Sequence, residues 1–152
     1  MIARVDRRQL LKAAAASAAA AAFPAPLIAQ SLGPSVVIIG GGFGGASCAR
    51  ALRKAAPHLA VTLVEANATY VALPHSNSVI AGLTELAQQQ FGYDKIKSSG
   101  VTVALSAATA VDPAARTVTL ADDTKLSYER LVVSPGIEFR AGAIAGYDRA
   151  AA

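Results

Sequence analysis

At 152 residues the chain has room for one ordinary domain. Hydrophobic residues make up 53 % of it, with an alanine-rich stretch in the first thirty positions, and of the formal charge of +4 the stretch through Ala29 supplies +3 (Arg4, Arg7, Arg8 and Lys12 against Asp6). The +1 left over the remainder gives no support to nucleic-acid binding, which requires a concentrated basic face.

Residues 1–30 read as an export signal. Asp6-Arg7-Arg8-Gln9-Leu10-Leu11-Lys12 is a twin-arginine pattern, and an alanine-rich run over 13–22 follows it. Pro24 and Pro26 break any helix there, and a cleavage region ends at Ala29. The competing reading is an uncleaved membrane anchor. The apolar run is too short and too weakly hydrophobic for a spanning helix, which needs roughly 20 residues. The leader therefore predicts twin-arginine export to the periplasm, with the membrane met only in transit.

The next stretch organises the rest. Val36-Val37-Ile38-Ile39 is a short β-branched run of the kind a buried parallel strand shows. Gly40-x-Gly42-x-x-Gly45 follows, then an apolar-periodic helix over 43–56, a stop at Pro57, a strand over 61–64, and Glu65, twenty residues after Gly45. A lone GxGxxG says little, but between strand and helix, with an acid at the next strand end, it is the dinucleotide-binding pattern. Gly40 lets the chain turn tightly, Gly42 has no Cβ to hold the backbone off a diphosphate, and Gly45 lets helix and sheet approach. The diphosphate rests on the helix N-terminus, and Glu65 faces ribose hydroxyls. The bland alternative is a glycine-rich turn with an incidental Glu, which leaves the match of strand, glycines, helix and acid unexplained.

Along the helix, Ala46, Ala49, Leu52 and Ala56 recur at spacings of three and four, and Arg50, Arg53 and Lys54 are free to face water. Cys48, the single cysteine, reads as a small buried residue with no disulfide partner in the chain. Residues 66–77 lack a sustained period and read as a loop, with His75 either a polar group near a ligand or, the commoner case, a surface or structural histidine. Residues 83–91 are helix-like and 95–100 a polar connection. A strand over 101–105 leads into 106–110, and a turn over 111–116 opens a small antiparallel meander with strands at 117–120 and 125–128. A last buried strand, 131–133, ends at Ser134-Pro135-Gly136.

A meander inserted before a strand that ends in such a turn departs from simple NAD-binding domains, and here the chain resembles the glutathione-reductase-like flavoproteins. Within them it is most similar to the flavoprotein subunits of flavocytochrome c sulfide dehydrogenases. The segments that carry the resemblance are VVIIGGGFGGASCARAL, SNSVIAGL from Ser76, FGYDKIKSSGVTV from Phe91, and YERLVVSPGIEF with IAGYD beyond it. It covers essentially all of residues 35–149 and implies an α/β, Rossmann-like FAD/NAD(P)-binding fold, with a parallel sheet and an inserted antiparallel β-meander, incomplete in this chain.

The resemblance further implies FAD as cofactor, a small inorganic sulfur substrate and a c-type cytochrome subunit as electron acceptor. Carried over by motif, Gly40, Gly42, Phe43 (through its backbone), Gly44 and Gly45 would hold the diphosphate, Glu65 the adenosine ribose and Ala108 the adenine. Ser134 and Gly136 would approach the cofactor from the opposite side. Some members tether FAD through a cysteine, and Leu73 stands at the matching position, which implies noncovalent FAD. Family chains are about three times as long and carry their redox-active cysteines later, so residues 31–152 correspond to the N-terminal part of an FAD-binding domain, inactive alone. No catalytic residue and no metal ligand are assigned. Two rival readings are an NAD(P)H- or quinone-linked flavoprotein reductase of the same superfamily, which export disfavours, and a truncated, non-catalytic nucleotide-binding chain.

Overall fold

A computed structural model describes residues 34–137. The leader over 1–30 and the IAGYD stretch lie outside the described residues. Among those residues no helix is long and apolar enough to cross a membrane.

Strand β1 (Ser35–Ile39) leads into helix α1 (Phe43–Ala55) and strand β2 (Ala60–Glu65). Both strands are a residue or two longer than the β-branched runs that announce them. Helix α1 ends as predicted: Ala56 caps it, its amide bonding the Leu52 carbonyl, and Pro57 follows. β1 and β2 pair in parallel from Ser35↔Ala60 to Ile39↔Val64.

β5 (Thr102–Leu105) adds to β2, and β9 (Arg130–Val133) adds to the other side of β1, giving a parallel sheet in the order β5-β2-β1-β9. Between β5 and β9 the chain makes an antiparallel three-stranded unit of β6 (Ala108–Asp112), β7 (Thr117–Leu120) and β8 (Lys125–Ser127). The predicted meander is there with one more strand than expected. Residues 108–112 form β6, pairing with β7 from Asp112↔Thr117 to Ala108↔Leu120. The sequence shows no strand at this position because Ala-Thr-Ala-Val-Asp is a mostly exposed edge with little branched bulk.

The sheet is covered on both faces, which is why β1 is apolar at successive residues instead of alternating. Val36, Ile38, Val61 and Leu63 pack with Ala49 of α1 and with Tyr93, Ile96 and Val101. Val37 and Val64 point the other way, onto Val118, Leu120 and Leu126 of the meander. Ile38, Leu63, Val64 and Val118 are fully buried. Each such side chain contributes about 1.5–3 kcal/mol on area grounds.

Five further expectations are corrected. The helix-like stretch 83–91 is a 3-10 turn (Leu86–Gln89) followed by β4 (Gln90–Phe91). The helix lies earlier, as α2 (Ser76–Ile80). β4 pairs antiparallel with β3 (Tyr70–Val71), inside the stretch read as loop, and the Gln89 side chain, buried, donates to the His75 carbonyl at 2.8 Å. The polar connection 95–100 contains a one-turn helix α3 (Asp94–Lys97). Arg53 does not simply face water: it donates to the carbonyls of Pro57 (2.5 Å) and Leu59 (2.6 Å), stapling the turn after α1. Cys48 is half-buried against the helix-face core, not fully buried.

Candidate functional site: a glycine turn held by Glu65 and Tyr93

The carboxyl ends of β1 and β9 meet at the glycine run. Gly40 leaves β1 with φ +98°, its amide donating to the Val64 carbonyl at 2.8 Å. A Cβ at Gly40 would run into the carbonyl of Ser134, whose own amide donates to the Ile39 carbonyl at 2.8 Å. At Gly44 a Cβ would lie 2.6 Å from Ser134 Oγ, and at Gly45 one would overlap the Gly40 carbonyl. The turn after β9 and the turn after β1 are therefore in contact only because these residues are glycines. Gly136, with φ +85°, is exposed at the far side of the β9 turn.

Gly42 differs from these neighbours. It caps α1 with φ −69°, a conformation any residue adopts, and a Cβ there would meet nothing nearer than the Tyr70 ring at 3.4 Å, an ordinary contact. Among the described residues nothing excludes a side chain at 42, which would lie in ordinary contact with the Tyr70 ring. No side chain caps α1 and its first turn has no acid. Among the described residues, the amides of Gly42, Phe43, Gly44 and Gly45 have no acceptor, while Ala46 is the first to bond, to the Gly42 carbonyl. A helix start with free N–H groups, no cap and no anionic side chain is a place for an anionic group of a ligand.

Glu65, at the end of β2, faces this turn. Its Oε2 accepts from the Gly41 amide at 2.6 Å, and its Oε1 accepts from the amide and the side-chain nitrogen of Asn67 at 3.0 and 3.3 Å. A carboxylate has about four acceptor positions, so it keeps capacity for a hydroxyl. Phe43 presents its ring to solvent and edge-on to Tyr70, 5.5 Å between centroids at 83°. The structure brings Gly40, Gly42, Phe43, Gly44, Gly45, Glu65 and Ser134 to one place. Ala108 is not among them: it begins β6 and packs with the meander-face core. His75, with φ +72°, is exposed and holds the start of α2 and Gln89 through its backbone.

Sequence reasoning missed Tyr93. Its hydroxyl donates to the Gly41 carbonyl at 3.2 Å, and the side chain is buried. Burial first, then the Glu65 carboxylate and Tyr70, push its pKa up from 10.0 to about 12, so the phenol stays a neutral donor. A cleft of about 280 Å³ opens beside it between Phe43, Tyr70 and Phe91, with Arg50 and Lys95 at the rim. Among the described residues no group of His, Cys, Asp or Glu is placed to hold a metal ion.

Residues 34–151 match the family model described as "Pyridine nucleotide-disulphide oxidoreductase". The chain belongs to this family. Residues 4–24 match the model of the twin-arginine translocation pathway signal sequence, so this family member carries a twin-arginine export signal, typically one for the periplasm. Over 44 residues it is 57 % identical to the "Sulfide dehydrogenase [flavocytochrome c] flavoprotein chain" of Chlorobaculum thiosulfatiphilum, which covers 29 % of this chain and 92 % of that sequence. Among solved structures it is similar to the sulfide:quinone oxidoreductase of Aquifex aeolicus (TM-score 0.68, 28 % identity, 72 % of this chain and 26 % of that one). It is also similar to the covalent putidaredoxin reductase–putidaredoxin complex (TM-score 0.64, 26 % identity, 75 % of this chain and 28 % of that one). The chain thus spans about a quarter of the length of these solved relatives. Membership of this family and the likeness to a flavoprotein chain imply FAD as the cofactor, and the uncapped start of α1 with its free amides fits that cofactor's diphosphate.

Proposed function

We propose that residues 31–152 are the FAD-binding portion of an exported sulfide dehydrogenase that passes electrons from sulfide to a c-type cytochrome. The observation that carries this reading is the 57 % identity over 44 residues to a sulfide dehydrogenase flavoprotein chain, in a chain with a twin-arginine signal. FAD, when bound, supplies the change from two-electron to one-electron transfer. In balance, HS⁻ gives up an electron pair and a proton to become elemental sulfur, and two ferric haems are each reduced by one electron.

The residues named here bind and orient. The free amides of Gly42, Phe43, Gly44 and Gly45 take the diphosphate, helped by the positive end of the α1 dipole. Gly40 sets the turn, and Glu65 accepts from the ribose with its remaining lone pairs. Ser134 and Gly136 line the cofactor's other side, and Ala108 offers backbone groups toward the adenine from the first residue of β6. Leu73, exposed and apolar, carries no thiol, in keeping with noncovalent FAD.

The likeness to a sulfide:quinone oxidoreductase favours a second reading, the same donor with a quinone acceptor. Steady-state assays of the flavin-loaded, exported enzyme separate them. Sulfide-dependent reduction of cytochrome c is expected. Reduction of a soluble quinone with no turnover of cytochrome c supports the second reading, and flavin reduced by NADH but not by sulfide sinks both.

A further inference from the structure

Both peptide units that flank Gly41 are held by side chains. The amide of the first donates to Glu65 Oε2 at 2.6 Å, and the carbonyl of the second accepts the Tyr93 hydroxyl at 3.2 Å. In a trans peptide the C=O and the following N–H point in opposite directions. The Tyr93 bond therefore turns the Gly42 amide to the side away from Tyr93, and that amide is the first of the four free donors at the start of α1.

Glycine is needed at 41 because a Cβ would lie 2.5 Å from the Tyr93 hydroxyl and 2.7 Å from its ring. Glycine is also the residue whose backbone is freest to rotate, and a donor on a freely rotating unit is a poor anion contact. Tyr93 is well placed to remove that freedom. It is 5 % exposed and packs with Ile38 and Leu63 in the helix-face core. Its own carbonyl accepts from Ile96 and Lys97 at 3.0 and 2.9 Å at the head of α3.

We propose that Tyr93 is a positioning residue of the cofactor site: its hydroxyl, bonded to the Gly41 carbonyl, orients the Gly42 amide for the diphosphate of FAD. This rests on the reading of the glycine turn as the FAD site.

The test is Tyr93→Phe in the complete chain, which keeps the ring and deletes the donor. Affinities for FAD, ADP and adenosine are measured by titration calorimetry, with thermal unfolding alongside. FAD and ADP, which share the diphosphate, are expected to bind about tenfold more weakly, with adenosine unchanged and the unfolding midpoint within a few degrees of wild type. Unchanged FAD affinity overturns the proposal, and so does an equal loss for adenosine, which would mean that the whole site has moved. A folded wild-type chain that takes up no FAD overturns the reading of the site itself. Should Tyr93→Phe not fold, 3,5-difluorotyrosine incorporated at position 93 keeps the shape and brings hydroxyl ionisation down in pH. FAD affinity should then fall in step with that ionisation, and an affinity indifferent to it rejects the role.

Discussion

Glu65 reaches back 24 residues to accept the Gly41 amide at 2.6 Å, so the acid at the end of β2 is a structural partner of the glycine turn as well as a candidate ligand group. The same carboxylate gathers Asn67 through two nitrogens, which fixes the chain's exit from β2.

Replacing Glu65 by Gln tests both roles. Hydrogen bonds to a charged acceptor contribute about 1.5–3 kcal/mol, so FAD affinity should drop roughly 10- to 100-fold. Titration of FAD into the variant, followed by quenching of flavin fluorescence, reads this directly.

Gly45 and Gly82 make a paired prediction on backbone space. A methyl at 45 overlaps the Gly40 carbonyl and forces α1 off the sheet, so Gly45→Ala should cost roughly 2–3 kcal/mol. Gly82 has φ +68° with nothing within 4 Å of a Cβ, so Gly82→Ala should cost only about 1 kcal/mol of left-handed strain. With about 4–8 °C of midpoint per kcal/mol in a domain of this size, calorimetry resolves the two.

Tyr93 makes stability depend on alkaline pH. Its pKa is raised from 10.0 to about 12 on folding, chiefly by burial. Below pH 10 both folded and unfolded chains hold the proton and the contribution is whole. Between 10 and 12 only the unfolded chain ionises, and up to ~3 kcal/mol is lost. Urea unfolding of the wild type should weaken across that window, while Tyr93→Phe should show a flatter curve.

Leu63→Ala should destabilise by about 2–5 kcal/mol, because its side chain is fully buried in the helix-face core and leaves a cavity. Leu83→Ala, at a residue 77 % exposed, should change stability by less than about 0.5 kcal/mol. Denaturant midpoints of the two variants check the assignment of the core.

The elements legible in the sequence are those whose burial is two-sided or whose turns need glycine. β1, α1, β2 and β9 stand where Val36–Ile39, the alanine stripe, Glu65 and Ser134 put them, because apolar runs and glycine spacing are local properties. The stretch 70–91 was not legible. Its strands are two residues each, below any period, and its register depends on a buried Gln89 that composition marks as surface. Tyr93 was hidden for the same reason: its partner is 52 residues earlier, and a tyrosine between Gly92 and Asp94 carries no signal of a contact with a glycine carbonyl. Arg53 shows the converse, since a charge on a helix face is assumed solvated until the carbonyls it reaches are seen.

The place of β1 at the middle of the sheet bears on how the protein is made. β1 gains β2 soon after synthesis, but its other neighbour begins at Arg130, 94 residues after Val36. At about 5–20 residues per second, translation leaves that side of the central strand unpaired for roughly 5–20 s, and the long-range closure adds to a slow folding rate. An unpaired apolar strand edge is sticky during that interval. For a chain with a twin-arginine signal, whose route handles folded proteins, β9, the last parallel strand among the described residues, has to dock before export.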